Sequence, residues 1–330
     1  MKMLSLALGT CFAAAFAFAS PLRSQEPPAP VEPNEEKGEV WDYATDRADR
    51  MTVSVNIAGQ GPYAFVVDTG AERTLISREL ATKLQLGEGT KARMHSMTEV
   101  SEVSTVIIPD LAVGTNRIKN IHAPALQRRN MGAEGMLGVD SLQSQRVSFD
   151  FTKREMTVIP SRRTERKWPE GTIVITARSR FGRLVLVDAS VDGEKVHAII
   201  DTGSEVTIGN TALRQKLERK GRLGLIAPIS LMSVTGGIRL ADQTRTKRMV
   251  LGGVEIHDLP IAFADVHPFR KLDLMDRPAI LLGMDALQLF DRVSVDFANR
   301  RVRLLRPSRS ALDGGMRNAR RQPESGWSVG

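Results

Sequence analysis

The chain has 330 residues, enough for two domains with cores of their own, and its 42% apolar and 25% charged residues are ordinary for a globular protein. Val, Ile, Leu and Thr are frequent while long Ala/Leu/Glu/Lys stretches are scarce, which argues against a helical bundle and for β structure. The formal charge of +8 comes without any helix-turn-helix, zinc-finger or RNA-binding signature, so no nucleic-acid partner is expected; the excess reads as a basic surface, with weak attraction to anionic envelope components left open.

At the N-terminus, Lys2 precedes an apolar run from Met3 to Ala19, and Ala17-Phe18-Ala19 fits a small-x-small cleavage site before Ser20. Residues 1–19 are therefore expected to be a signal peptide, leaving a periplasmic or secreted chain with no stable membrane insertion. The alternative is an uncleaved anchor, since the run is only slightly short of a membrane span. The single cysteine, Cys11, lies inside this segment behind Thr10, where a lipidation site wants Gly or Ala, so the mature chain would hold no disulfide, thiol nucleophile or thiolate metal site. Residues 20–40 are rich in Pro and Glu and read as a flexible leader, with Trp41 marking the start of packing.

Met51 to Ala58 alternates Val53, Val55 and Ile57 with Thr52, Ser54 and Asn56, the pattern of a half-buried strand. A turn at Gly59-Gln60-Gly61-Pro62 leads to a second strand, Tyr63 to Val67, which runs straight into Asp68-Thr69-Gly70-Ala71. Thr74 to Ser77 reads as a short strand and Arg78 to Leu84 as one or two helical turns capped by Ser77. Further on, Gly135-Met136-Leu137-Gly138-Val139-Asp140-Ser141-Leu142 is followed by Arg146-Val147-Ser148-Phe149-Asp150-Phe151, a strand, a Gly, a short helix and a final strand.

The second half repeats this order. A strand from Val185 to Val191, a hairpin turn at Asp192-Gly193 and a strand from Val196 to Ile200 end in Asp201-Thr202-Gly203-Ser204, 133 residues after the first copy. The downstream block recurs as Ile280-Leu281-Leu282-Gly283-Met284-Asp285-Ala286-Leu287 with Arg292-Val293-Ser294-Val295-Asp296-Phe297, 145 residues after its first copy, so the second half is longer by about twelve residues between the two blocks. Shared order, spacing and identities indicate a duplication. The domains follow: a lobe over 41–160, a Pro-bounded polar linker over 161–171, a second lobe over 172–306, and a basic tail over 307–330 that reads as disordered.

Two like turns, each delivering one Asp, suggest that the lobes bring two carboxylates together. A pair about 3 Å apart cannot both ionise cheaply and shares a proton. The ionised partner can take a proton from a water held between them while the protonated one donates to a substrate carbonyl, and the roles reverse as the amine leaves. This chemistry needs no metal, cofactor or covalent intermediate. The apolar strand before each Asp fixes its backbone, the following Gly permits close approach of another backbone, and a Thr hydroxyl can donate and accept at once. Asp140 and Asp285 read as helix N-caps, Asp150 and Asp296 as structural, and His95, His122, His197, His257 and His267 show no metal-ligand spacing.

Two copies of Asp-Thr-Gly with Ala or Ser next, each with a later apolar-apolar-Gly block, resemble the retropepsin-like aspartic proteases, closest to bacterial, exported, single-chain forms carrying both halves in tandem. The resemblance covers about residues 50–160 and 172–306 and implies an all-β, pepsin/retropepsin-like fold of two similar lobes with a cleft between them and short helices. It implies Asp68 and Asp201 as catalytic dyad, Thr69 and Thr202 as interlocking hydrogen-bond partners beneath it, and Gly70, Gly203 and Ala71 along the substrate. Ser204 could hydrogen-bond the outer oxygen of Asp201, whereas Ala71 has no hydroxyl for Asp68. Family members close a hairpin flap over the substrate; Met94 to Ser104 and Met232 to Ile238 are the candidates, the second carrying Gly236 and Gly237 at its tip. The expected function is aspartic endopeptidase cleavage of extended polypeptide segments, for which a monomer suffices. The alternative is an inactive clamp of the same fold that binds peptide or envelope polymer. Loss of one Asp separates the two, since it would abolish hydrolysis and leave binding.

Overall fold

The computed structural model of the chain describes residues 39–42, 44–45, 50–97, 100–114, 116–142, 144–162, 168–180, 183–186 and 188–306. The expected signal segment over residues 1–19, the expected leader up to residue 38, linker residues 163–167 and the tail from 307 lie outside the described residues.

Alternation sets the first strand: Met51–Ile57 buries Met51, Val53, Val55 and Ile57 and exposes Ser54 and Asn56. It pairs antiparallel with Gln60–Val67, whose apolar end Phe65-Val66-Val67 is wholly buried. That end also lies parallel to Gly135–Leu137, with Leu137 opposite Val67. The second lobe builds the same unit from His197–Ile200 beside Ala279–Leu282, with Leu282 opposite Ile200. A strand paired on one side in parallel and covered on both faces wants a continuous apolar run, which is what precedes each Asp.

In each lobe a short antiparallel strand flanks this unit, Leu75–Ser77 in the first and Ile208–Gly209 in the second. Each leads into a helix with a side-chain cap: Ser77 Oγ accepts from the Leu80 N–H ahead of Arg78–Lys83, and Asn210 Oδ1 from the Leu213 N–H ahead of Thr211–Arg219. The second helix has nine residues against six, which takes up part of the extra length of the second half. No helix among the described residues is long and apolar enough to cross a membrane. The fold is all-β, two similar lobes with few short helices.

One sheet ties the lobes together. Its central pair is Gln145–Asp150 from the first lobe and Arg292–Asp296 from the second, antiparallel, with Ser148 opposite Ser294 and their hydroxyls bonded at 2.8 Å. Glu155–Pro160 and Glu39–Asp42 extend it on one side, Arg301–Leu305 and Thr172–Arg180 on the other. Among the described residues the strand Glu39–Asp42 is the earliest, and it begins two residues before Trp41. Across the linker, Trp168 packs its ring beneath the guanidinium groups of Arg292 and Arg303, 5.6 and 6.0 Å from the ring centre.

Oppositely charged residues close both ends of the central pair. Arg292 donates to Asp150 Oδ2 at 2.6 Å, and Arg146 stands 3.8 Å from Asp296, both side chains almost wholly buried. Burial pushes the Asp150 carboxyl up, but the Thr152 hydroxyl, Arg292 and the Lys153 N–H together hold it below its ordinary 3.8. A carboxyl held low in the folded state adds stability above its unfolded pKa and loses it as pH falls through the folded one. Asp150→Asn should therefore lower the unfolding free energy at pH 7 by about 2 kcal/mol, and the gap between variant and parent should narrow as the pH falls below the ordinary 3.8 of the carboxyl. Urea unfolding at pH 7 and pH 3 checks both statements.

Candidate active site

Each Asp turn is built by its own backbone. The Asp68 N–H donates to Leu137 O and the Asp201 N–H to Leu282 O, both at 3.0 Å, which extends the parallel pairing to the acid itself. The side chains then fold back over the turn. Asp68 Oδ1 accepts from the Gly70 N–H at 2.7 Å and the Ala71 N–H at 2.9 Å, and Asp201 Oδ1 accepts from the Gly203 N–H at 3.0 Å. Both Asp residues are buried, at 9% and 8% exposure, whereas most Asp side chains in folded proteins are exposed.

The two turns lock into one another. The Thr69 N–H donates to Thr202 Oγ1 at 3.1 Å while that hydroxyl donates to Val67 O at 2.7 Å. The reverse pair matches it: the Thr202 N–H donates to Thr69 Oγ1 at 3.1 Å, and that hydroxyl donates to Ile200 O at 3.1 Å. Each Thr hydroxyl accepts from one backbone N–H and donates to one carbonyl of the other lobe, so both polar capacities are used in a dry place. Above this lock each carboxylate lies against the other turn's glycine. A Cβ added to Gly70 would stand 2.5 Å from Asp201 Cγ, and one added to Gly203 would stand 2.2 Å from Asp68 Cγ. The two acids therefore occupy one small space, held from below.

A second pair of acids clamps the segment just past each turn. Asp140 accepts from the Thr74 N–H at 3.0 Å and the Thr74 hydroxyl at 2.8 Å; Asp285 accepts from the Thr207 N–H at 3.0 Å and the Thr207 hydroxyl at 2.7 Å. The same hydroxyls accept from the Gly138 and Gly283 N–H groups. Burial pushes the Asp285 carboxyl above its ordinary 3.8, against the hydrogen bonds from Thr207. Gly138 and Gly283 press on the loop backbone, where a Cβ would come within 2.5 Å of Arg73 C and Val206 C. The expectation that Asp140 and Asp285 serve as helix N-caps is thus corrected: both lie within the first turn of their helices, and their main partners are threonines 66 and 78 residues upstream. The signal that could have found this is the recurrence of Thr and of Gly-x-Asp at matching places in both repeats.

Ser204 also departs from expectation. Its hydroxyl donates to Val206 O at 2.8 Å rather than to the Asp201 carboxylate, because that carbonyl lies two residues along the same tight turn. Ser204→Ala is accordingly expected to leave the pH–rate profile unmoved and to lower stability by about 1 kcal/mol, the ordinary value of one buried hydrogen bond. A pH series of peptide turnover and a urea melt of the variant check the two parts.

Two hairpins cross to the opposite lobe. Ala92–His95 and Val100–Val103 form the first, Ala227–Met232 and Ile238–Arg245 the second. From the first, His95 stacks on His267 with ring centres 4.1 Å apart, and Met97 packs on the second-lobe cluster containing Phe269 and Leu272. From the second, Val234 packs with Ala71 and Met94 on the first-lobe cluster containing Val66, Leu126 and Met131. Gly236, at φ +91°, lies against the Asn130 side chain, and Gly237 accepts the Ser233 N–H at 2.9 Å. Glu72, just past the first turn, pairs with Lys271 of the second lobe. Among the described residues no group of three or more His, Cys, Asp or Glu side chains is placed to hold a metal ion.

A family model for aspartyl proteases matches residues 53–141 and, separately, residues 187–286. The chain belongs to the aspartyl protease family. Each match spans one Asp-Thr-Gly turn, its clamped threonine and the downstream Gly-x-Asp, so this family member carries the retropepsin-like unit twice in one chain. No curated protein matches the chain.

Proposed function

We propose that the chain is an aspartic endopeptidase in which Asp68 and Asp201 form the catalytic dyad. The observation that carries the reading is the reciprocal fit of each carboxylate over the other turn's glycine, above the Thr69–Thr202 lock. With one acid ionised and the other protonated, a water between them loses a proton to the first while the second donates to the scissile carbonyl. The water oxygen bonds to the carbonyl carbon, the C–N bond breaks, and the dyad returns a proton to the leaving amine. Backbone N–H groups held by Asp68 and Asp201 orient the acids, and the buried strand ends exclude bulk water.

The substrate in this reading is an extended polypeptide segment lying between the dyad and the two hairpins. Gly70, Gly203 and Ala71 border it from below, and the Gly236-Gly237 tip from above. Both hairpins lean on the opposite lobe, so a peptide must lift at least one of them, which favours loops and unfolded segments over folded cores. One chain carries both acids, and a monomer is sufficient. Residues 1–19 are read as an export signal placing the mature chain in the periplasm or outside the cell; a mature N-terminus at Ser20 in envelope fractions is the expected finding.

The test is a peptide-library digest from about pH 4 to 8, read by mass spectrometry, with the mature chain beside an Asp201→Asn variant. Cleavage that vanishes in the variant supports the dyad. Folded protein that binds peptides without cutting them at any pH would replace this reading with that of an inactive clamp.

A further inference from the structure

The two turns are alike up to the glycine and then diverge. The first continues Ala71-Glu72-Arg73 and the second Ser204-Glu205-Val206, so Arg73 and Val206 hold equivalent places. Val206 is half-buried against the second-lobe cluster that includes Phe269 and Leu281. Arg73 is exposed and lines a cavity of about 610 Å³ on the first lobe, together with Lys119 and His122. That volume is within the range of small-ligand sites.

The charges in this cavity do not cancel. Its two acids are Glu72 and Asp140. Glu72 pairs with Lys271, and Asp140 accepts from the N–H and hydroxyl of Thr74. Among the described residues Arg73 and Lys119 make no side-chain hydrogen bond or ion pair. With Glu72 neutralised by Lys271, and Asp140 keeping its charge because its Thr74 donors are neutral, two cations and an imidazole face the cavity against one uncompensated carboxylate. The base of Arg73 is held firm: Gly138 presses on its backbone, and the next N–H, of Thr74, is clamped by Asp140. A guanidinium on a fixed base loses less freedom on gripping an anion than one on a mobile loop, and its fork suits a carboxylate.

The cavity is close to the acids in chain distance. Arg73 is five residues past Asp68, which limits their separation to roughly 17 Å. An extended peptide rises about 3.4 Å per residue, so the cavity is within about five residues of the scissile bond.

We propose that Arg73, with Lys119 and His122, forms a subsite for an acidic side chain of the peptide, and that its absence from the second lobe decides which way round the peptide lies. The inference rests on the peptide-cleft reading above and adds a charge rule and a direction to it. A site with near two-fold symmetry offers an extended peptide two opposite orientations of similar energy. A cationic subsite at one end and an apolar one at the other breaks that tie. Peptides with Asp or Glu at one register, on one side of the scissile bond only, are bound about threefold better than their Asn or Gln counterparts at low salt, and the ratio shrinks at high salt.

The experiment reads binding and cutting on the same probe, a positional-scanning decapeptide library. Full-length mature chain carrying Asp201→Asn is incubated with the library and the retained peptides are quantified by mass spectrometry, beside Asp201→Asn combined with Arg73→Glu and, separately, with Lys119→Glu. The expected result is enrichment of Asp and Glu at one register, inverted to Lys and Arg by Arg73→Glu and weakened by Lys119→Glu. Peptides retained without acidic enrichment, or an enrichment that both charge reversals leave in place, overturn the proposal, as does retention of no peptide. The parent chain digests the same library in parallel. Cutting with no acidic preference sinks the subsite and spares the protease reading; acidic enrichment without cutting does the reverse.

Discussion

Asp201→Asn is expected to lower peptide turnover by about 10³-fold or more, with a melting temperature within a few degrees of the parent. The fold should tolerate the change because Asn keeps a carbonyl oxygen where Oδ1 accepts the Gly203 N–H at 3.0 Å. What it removes is the capacity to take and return a proton. General acid–base catalysis by one positioned group contributes about 10² to 10⁴ in rate, and here one pair of acids performs both halves. Asp68→Asn should behave alike, since Asp68 Oδ1 accepts two backbone N–H groups that an Asn oxygen can also receive. The double variant should be little worse than either single one, because groups that act as a unit are not additive. Steady-state turnover of one defined peptide and a thermal melt decide the matter. A single variant that keeps a tenth of the parental rate would remove that Asp from the chemistry.

Much of this architecture was legible in the chain because it is said twice. Phe65-Val66-Val67 before one Asp and Ala198-Ile199-Ile200 before the other read as strands buried on both faces, and the Leu-Gly blocks downstream supply their parallel neighbours. Periodicity and repetition are local signals. What the sequence could not show depends on geometry across long chain separations. Arg146 facing Asp296 and Asp150 facing Arg292 follow from a strand register between residues some 140 positions apart, which no local pattern encodes. The crossing of each hairpin to the other lobe, through His95 on His267 and Val234 on the Met131 cluster, is equally remote. Ser204 failed for a different reason. A hydroxyl bonds to the best-placed acceptor, and the carbonyl of Val206 in its own turn is better placed than the carboxylate it was expected to meet.

Gly203→Ala should cost about 10²-fold in turnover although alanine is the smallest possible change. Gly203 does not have the left-handed backbone that would penalise a side chain, so the effect must come from space. The new methyl would stand 2.2 Å from Asp68 Cγ and 2.3 Å from Oδ2, whereas ordinary contact for such an atom begins near 3.4 Å. Relief requires the Asp68 carboxyl to move by about 1 Å, or the two turns to part and strain the bonds between Thr69 and Thr202. A displacement of about 1 Å in reacting groups costs on the order of 10²-fold, and overpacking a tight site costs about 1–3 kcal/mol of stability. Gly70→Ala should act likewise through Asp201, where the nearest carboxyl atoms would be 2.5 Å away. Gly87→Ala is the control: its added methyl meets nothing within 4 Å, and its turnover and melting temperature should match the parent. Turnover and melts of the three variants separate geometry from folding. If Gly203→Ala remains folded and works at the parental rate, the close approach of the two turns is not the arrangement in which the reaction occurs, and the dyad must form by a movement that frees this space.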